Sequence, residues 1–298
     1  MQSPYPWIGG KGRLAQEILT RIPPPHRDRT YVEPFFGGGA VYFAQRPSGV
    51  EVINDLNSEV IHFFRVLRDR ESFDALLWFL QSTPYSREMF YAWRKVDPAS
   101  LPDINRAARF FYIARSAFAG QSTGRTPSWA FARSTDNRAR SLAAVVDHDL
   151  IHVRDRLRNT LIEHDDAIKV IQRYDSPSAV IYCDPPYVQG TRSDGGYQDE
   201  MDDYDHERLL RVLKGSEGFV ALSGYPSELY RDVLESEPGW SFVDFDMLCR
   251  ANQSTQVSDE IDRQRTERLW MNHRLTEWVA QKKNSQASIF DLLDVGGA

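Results

Sequence analysis

The chain has 298 residues, of which 41% are hydrophobic and 26% charged, with a formal net charge of −6. That length allows one large domain or two moderate ones, and the acidic balance means that any argument for a nucleic-acid partner must rest on local charge. No apolar run approaches the roughly 18 residues that span a bilayer, the N-terminus lacks a signal-like apolar stretch, and the two cysteines, Cys183 and Cys249, form no CxxC, so the expected setting is a reducing cytoplasm with no disulfide scaffold and no metal site.

In chain order, the pattern predicts a helix near Gly12–Arg21, strands at Tyr31–Phe35 and Val50–Asn54, and helices near Asn57–Asp69, Arg87–Lys95, Arg106–Ala117 and Asp149–Asn159. Strands at Thr160–Glu163 and Ala179–Cys183 come next, then a helix near His206–Lys214, a strand at Phe219–Ser223, a helix at Ser227–Glu235, and strands at Phe242–Phe245 and Glu267–Met271. The strands are short, β-branched or aromatic, and bounded by Gly, Pro, Asp or Asn. Strands separated by helices indicate an α/β fold with a mostly parallel sheet covered on both faces. Residues 1–60 and 160–280 are read as the sheet domain. Residues 61–159, which show no convincing buried strand, are read as an inserted, mostly helical subdomain, and 281–298 as a flexible tail.

Three loops fall on one sheet edge. Glu33-Pro34-Phe35-Phe36-Gly37-Gly38-Gly39 lies after the first strand and opens a helix; glycines there permit a sharp turn and close approach of a ligand to the backbone. The run is neither GxGxxG nor GxxxxGK[ST], which disfavours a dehydrogenase or a P-loop protein. Asp55 ends the second strand 22 residues after Glu33, where an acid can bind ribose hydroxyls or, with Asn57, cap the next helix. Asp184-Pro185-Pro186-Tyr187 comes directly after the apolar run Ala179–Cys183. Two prolines end the strand and stiffen the adjoining backbone, fixing a carboxylate relative to an aromatic ring.

Together these segments resemble the Dam-like adenine-N6 DNA methyltransferases of the alpha motif order. Trp7-Ile8-Gly9-Gly10-Lys11 resembles that family's opening motif, the segment from Glu33 its glycine motif, and VINDLNSEVIHFFRVLRD its acidic motif; DPPY is its catalytic motif. LSGYPSELY and TERLWMN resemble its later strands. The resemblance implies a Rossmann-like methyltransferase sheet, S-adenosylmethionine as cofactor, and a target-recognition subdomain in the insertion. Carried over by position, Trp7, Lys11, Glu33, Phe36, Gly37, Gly39, Asp55, Asp166 and Asp184 bind the cofactor, with Asp165 competing for the place of Asp166. Asp184, Pro185, Pro186 and Tyr187 form the catalytic set.

The chemistry suits these residue types. The exocyclic amine of adenine is a poor nucleophile, whereas a methyl sulfonium is already electrophilic, so the site chiefly has to hold the two in line. Asp184 can accept one N6–H and the Pro185 carbonyl the other, favouring the charge that develops on nitrogen. Tyr187 offers a face to a base flipped out of the duplex.

Between Asn105 and Arg140 lie seven arginines, Arg106, Arg109, Arg115, Arg125, Arg133, Arg138 and Arg140, against a single acid, Asp136, and no lysine. Such local concentration is the footprint of a phosphate-binding surface, and the expected partner is double-stranded DNA. Gln121, Ser122, Thr123, Trp129 and Asn137 are candidates for reading bases. This stretch does not reproduce the Asn/Phe-rich loop of the GATC readers. Gly190–Tyr204, with three glycines and five acids, is read as a lid. Gln286-Ala287-Ser288-Ile289-Phe290 resembles the short peptides that dock on bacterial sliding clamps; a self-packed amphipathic turn is the alternative. The expected activity is site-specific methylation of adenine N6 in duplex DNA by a bacterial or phage enzyme, in the manner of restriction-modification systems. The alternatives are cytosine-N4 or RNA adenine methylation, or a catalytically silent DNA-binding subunit.

Overall fold

A computed structural model describes residues 1–117, 127–130, 137–188, 201–248 and 264–294. Seven strands form one sheet: β1 (Thr30–Glu33), β2 (Val50–Asn54), β3 (Thr160–Glu163), β4 (Ala179–Cys183), β5 (Phe219–Gly224), β6 (Ser241–Leu248) and β7 (Gln264–Met271), in the order β3-β2-β1-β4-β5-β7-β6. The first five are parallel, and β7 runs antiparallel to both β5 and β6. The strand order reverses between β1 and β4, where an open α/β sheet leaves a crevice beyond its carboxyl ends.

Strand periodicity divides the core into two layers. Val180 and Tyr182 join Tyr31, Ile53, Ala221 and Leu269 on one face, while Ala179, Ile181 and Cys183 join Val32, Val52, Val220, Leu222 and Trp270 on the other. The second face is covered by α9 (Ala167–Tyr174), α10 (Asp203–Lys214) and the segment from α11 (Glu228–Tyr230) through a π-helical turn, Arg231–Glu235. The first is covered by α1 (Ala15–Arg21), α2 (Ala40–Ala44), α3 (Ser58–Arg68) and part of α12 (His273–Asp294).

Between β2 and β3 the chain forms α3, α4 (Arg70–Gln81), α5 (Arg87–Arg94), α6 (Asp103–Ser116), α7 (Arg138–Ala144), a π-helical turn at Val145–Asp149, and α8 (Leu150–Leu157). The described part of this stretch adds one isolated bridge, Ala117 to Trp129, and no strand. Side-chain caps set the helix starts. Asn57 accepts from the Glu59 and Val60 amides, Asp69 from Ser72, and Asn137 from Arg140. The boundary expected at residue 60 falls inside α3, and α12 continues without a break across residue 281 to Asp294, where the sequence suggests a tail. Among the described residues no helix is long and apolar enough to cross a membrane.

Candidate active site

The glycine loop leaves β1 with Gly37 at φ +49° and Gly39 at φ +65°, the left-handed region that glycine enters at least cost. Space adds a second constraint. A Cβ on Gly37 would collide with the Trp7 indole, and one on Gly39 with the Phe36 ring. Tyr5 donates its hydroxyl to the Gly37 carbonyl at 2.9 Å. Asp55 holds the other side: Oδ2 accepts from the Gly37 amide at 2.6 Å and Oδ1 from the Asn57 amide at 2.8 Å. Of the two roles expected of Asp55, the capping of α3 falls to Asn57, and Asp55 itself braces the glycine loop.

Two cavities meet here. The smaller, about 170 Å³, is lined by Trp7, Phe35, Gly37, Asp55, Leu56, Asp166, Ile168, Asp184 and Pro186, among others. Leu56 is 60% exposed, an apolar side chain left uncovered at a concave site. The larger, about 1080 Å³, includes Lys11, Glu33, Phe36, Gly39, Arg115, Arg138, Tyr182, Tyr187, Tyr225 and Glu267 in its lining, and also touches Trp7, Gly37 and Asp184. Asp184 thus borders both. Phe35, which the motif reading passes over, lines both cavities; Phe36 borders only the larger and packs edge-on against Tyr42 and Phe64.

At the end of β4 a polar cluster forms. The Lys11 ammonium, 4% exposed, donates to Asp184 at 2.6 Å, to the Tyr187 hydroxyl at 2.7 Å and to the Gly9 carbonyl at 2.9 Å. Tyr187 donates to Glu267 at 3.0 and 3.2 Å, and its ring lies against Tyr225 with centroids 4.3 Å apart. Glu33, buried at the end of β1, accepts from the Tyr31 hydroxyl at 2.9 Å. Burial raises the Asp184 carboxyl above its ordinary value, opposed by the charge and hydrogen bond of Lys11. Burial also raises Glu33 and Glu267, and the nearby Asp184 charge adds to each. Two carboxyl groups, those of Asp184 and Glu267, therefore stand within 3.5 Å of one ammonium.

Asp166 lines the smaller cavity and caps α9, accepting from Ile168 and Lys169. Asp165 turns away to Arg173 at 2.9 Å. Two residues absent from the sequence-based set matter. Asn54, 1% exposed, donates to the Pro34 and Asp165 carbonyls and accepts from the Asp165 amide, tying together the loops after β1 and β3. Its signal is a polar residue closing an apolar strand. Glu267 shares the β7 face of buried Leu269 and Met271, and period-two alternation marks it.

The arginines separate by position. Arg115 and Arg138 line the larger cavity, with Arg115 donating to the Ser141 hydroxyl at 2.9 Å and to its carbonyl. Arg106 instead pairs with Glu59, donating through Nε at 2.8 Å, and Arg109 donates to the Trp93 carbonyl; both bind the helical layer together. Arg140 is exposed on α7. Arg125, Arg133, Gln121, Ser122, Thr123 and most of the expected lid lie outside the described residues, while Trp129 packs against Tyr85 and Phe90. The Gln286–Phe290 backbone is part of α12.

Residues 7–239 match the D12 class N6 adenine-specific DNA methyltransferases. The chain is 30% identical over 249 residues to the type II methyltransferase M1.LlaDCHI of Lactococcus lactis subsp. cremoris, covering 76% of this chain and 83% of the relative. It is 22% identical over 258 residues to the type II methyltransferase M.CviBI of Paramecium bursaria Chlorella virus NC1A, covering 86% and 94%. Over 237 residues it is 26% identical to the DNA adenine methylase of Haemophilus influenzae, covering 76% and 80%.

Proposed function

This chain belongs to the D12 class N6 adenine-specific DNA methyltransferase family, and we propose that it transfers a methyl group from S-adenosylmethionine to N6 of an adenine flipped out of duplex DNA. The observation that carries this reading is the place of Asp184, which borders both cavities at the sheet's switch point. One cavity can then hold the nucleoside of the cofactor and the other the target base, with the transfer taking place beside the carboxylate.

The residues present fit the cofactor. Asp55 and Asp166 supply acceptors, Leu56 and Ile168 supply apolar contact, and the surplus of carboxyl groups around Lys11 suits a cation. When bound, the cofactor supplies a methyl group on a positively charged sulfur. Asp184 accepts one amine proton of the target base, and the Pro185 carbonyl is the candidate for the other. Both bonds strengthen as nitrogen becomes positive, which is where transition-state stabilisation arises. Stacking on Tyr187, at roughly 1–3 kcal/mol, offsets part of the few kcal/mol that unstacking costs. In this reading the helices between β2 and β3 form the target-recognition unit, and Arg115 and Arg138 meet phosphates beside the flipped base.

The test is incubation with methyl-labelled S-adenosylmethionine and mixed duplexes, then digestion to nucleosides. Label in N6-methyladenine is expected; label in N4-methylcytosine, or no label, overturns the reading. A second partner is proposed on the Gln286–Phe290 resemblance: a protein ending at residue 283 should lose binding to a purified sliding clamp and retain methyl transfer, and an intact protein that binds no clamp removes that partner.

A further inference from the structure

Glu267 takes no part in the chemistry assigned to Asp184 and Pro185. Because β7 runs antiparallel to β5, with Arg268 opposite Gly224, Glu267 stands one residue past the carboxyl end of β5, on the same sheet edge as Asp184. Its side chain is 6% exposed and lies 3.5 Å from the Lys11 ammonium. Lys11 is closer to Asp184, at 2.6 Å. A second carboxylate beside an ammonium already paired is expensive to bury, and an apolar residue on the Leu269–Met271 face would fold at less cost. Its placement therefore calls for a role beyond stability.

The hydrogen bonds indicate that role. The Tyr187 hydroxyl is held from two sides, accepting from Lys11 at 2.7 Å and donating to Glu267 at 3.0 and 3.2 Å. Lys11 in turn holds Asp184. The Tyr187 ring meets Tyr225 at a tilt of 44°, and the Lys11 ammonium lies over it, 5.0 Å from its centre. With both the ring and its hydroxyl engaged, Tyr187 is fixed relative to Asp184.

We infer that Glu267 is a positioning residue for methyl transfer: by gripping the Tyr187 hydroxyl opposite Lys11, it sets the ring that receives the target base in register with the Asp184 carboxylate that accepts its amine. The inference rests on the reading of the site as an adenine methyltransferase. Reaction rates respond steeply to such register, and a displacement of about 1 Å can cost on the order of a hundredfold.

The experiment compares Glu267→Leu, Glu267→Gln, Tyr187→Phe and the double variant Tyr187→Phe/Glu267→Leu. Glu267→Leu removes the acceptor, and Tyr187→Phe keeps the ring but removes the hydroxyl. Each should lower kcat at saturating DNA and cofactor about tenfold, or about 1.4 kcal/mol in barrier. The double variant should be no slower than the slower single one, because both changes cut one link. Glu267→Gln retains an acceptor and should recover most of the rate. Should Glu267→Leu fail to fold, Tyr187→Phe decides: full kcat there overturns the inference. Full kcat in Glu267→Leu, or penalties that multiply in the double variant, also overturn it while leaving the function intact. A wild-type protein that transfers no methyl group to any duplex overturns both.

Discussion

At Asp184 two forces set the charge: burial favours the protonated acid, and the Lys11 ammonium 2.6 Å away favours the carboxylate. In the proposed reaction the carboxylate is the stronger acceptor for the amine hydrogen and the only form that stabilises positive charge on nitrogen by its own charge. The rate of the chemical step should therefore fall as pH drops through a carboxyl pKa above the ordinary range, with Glu33 and Glu267 as the neighbouring carboxyl groups that titrate with it. Lys11→Met removes the opposing charge, so its acid limb should move to higher pH, with activity partly regained on the alkaline side. Single-turnover rates against pH check this, and an unmoved limb rules out the Lys11–Asp184 coupling. Asp55 gives a second prediction. Its two oxygens accept from the Gly37 and Asn57 amides, each bond worth about 1 kcal/mol. Asp55→Ala should weaken S-adenosylmethionine binding about tenfold, or about 1.4 kcal/mol, lower the melting temperature by several degrees, and leave kcat at saturating cofactor largely intact. Unchanged affinity by calorimetry would reduce Asp55 to a purely structural brace. The motif residues are visible in the sequence because glycine and proline punctuate the chain where it turns. The contacts of Lys11 with Asp184, 173 positions away, and of Tyr187 with Glu267, 80 positions away, are not, since sheet order alone decides which loop ends share an edge.

Strand limits are legible where a short β-prone run is bounded by Asn, Asp, Gly or Ser, even on the edge strand β3, where Thr160 alone is buried. The apolar runs Val50–Asn54, Thr160–Glu163 and Ala179–Cys183 have the same limits in sequence and structure. The edge pair β6 and β7 extends beyond the apolar centres Phe242–Phe245 and Glu267–Met271, because hydrogen bonding to one neighbour lengthens a strand without requiring apolar residues. Helix α4 has no separate signal: Asp69 both ends α3 and caps α4, with no glycine or proline between them. Basic composition likewise hides the different duties of arginines on neighbouring turns. On α6, Arg106 and Arg109 bind other helices while Arg115, lower on the same helix, faces the larger cavity with Arg138 of α7. Replacing Arg115 and Arg138 together by alanine should reduce the slope of log affinity for duplex DNA against log salt by nearly two, at about 0.9 per phosphate. Arg106→Ala should leave the slope alone and lower the melting temperature instead. A slope unchanged by the double replacement removes the pair from the DNA interface.

On the scale of the molecule, the inserted helices and the sheet share one core. Tyr31, Ile53, Val180 and Tyr182 from the strands belong to the same buried cluster as Phe63 and Phe64 of α3, Phe73 and Leu76 of α4, Phe90 of α5 and Phe110 and Phe111 of α6. Phe63 stacks on Phe111 with centroids 5.4 Å apart, and Tyr5 of the N-terminal segment meets Phe110 edge-on at 5.2 Å. The aromatic layer therefore runs from the glycine loop, through Tyr5 and Trp7, into the insertion. Each fully buried side chain of this kind contributes roughly 1.5–3 kcal/mol, and several lost at once exceed the total stability of an ordinary domain, about 5–15 kcal/mol. A helical layer that merely perched on the sheet could be removed; one whose aromatic rings share the sheet's buried core cannot. The intact chain should unfold in a single calorimetric transition. A variant in which residues 61–159 are replaced by a short Gly/Ser linker should show no cooperative melting and no S-adenosylmethionine binding, because the cut falls within α3 and exposes Tyr31, Ile53 and Tyr182. A sharp transition in that variant, with cofactor affinity retained, would establish the helical insertion as a separable module. Failure of the cut protein to fold would mean that the helices and the glycine loop belong to one cooperative unit.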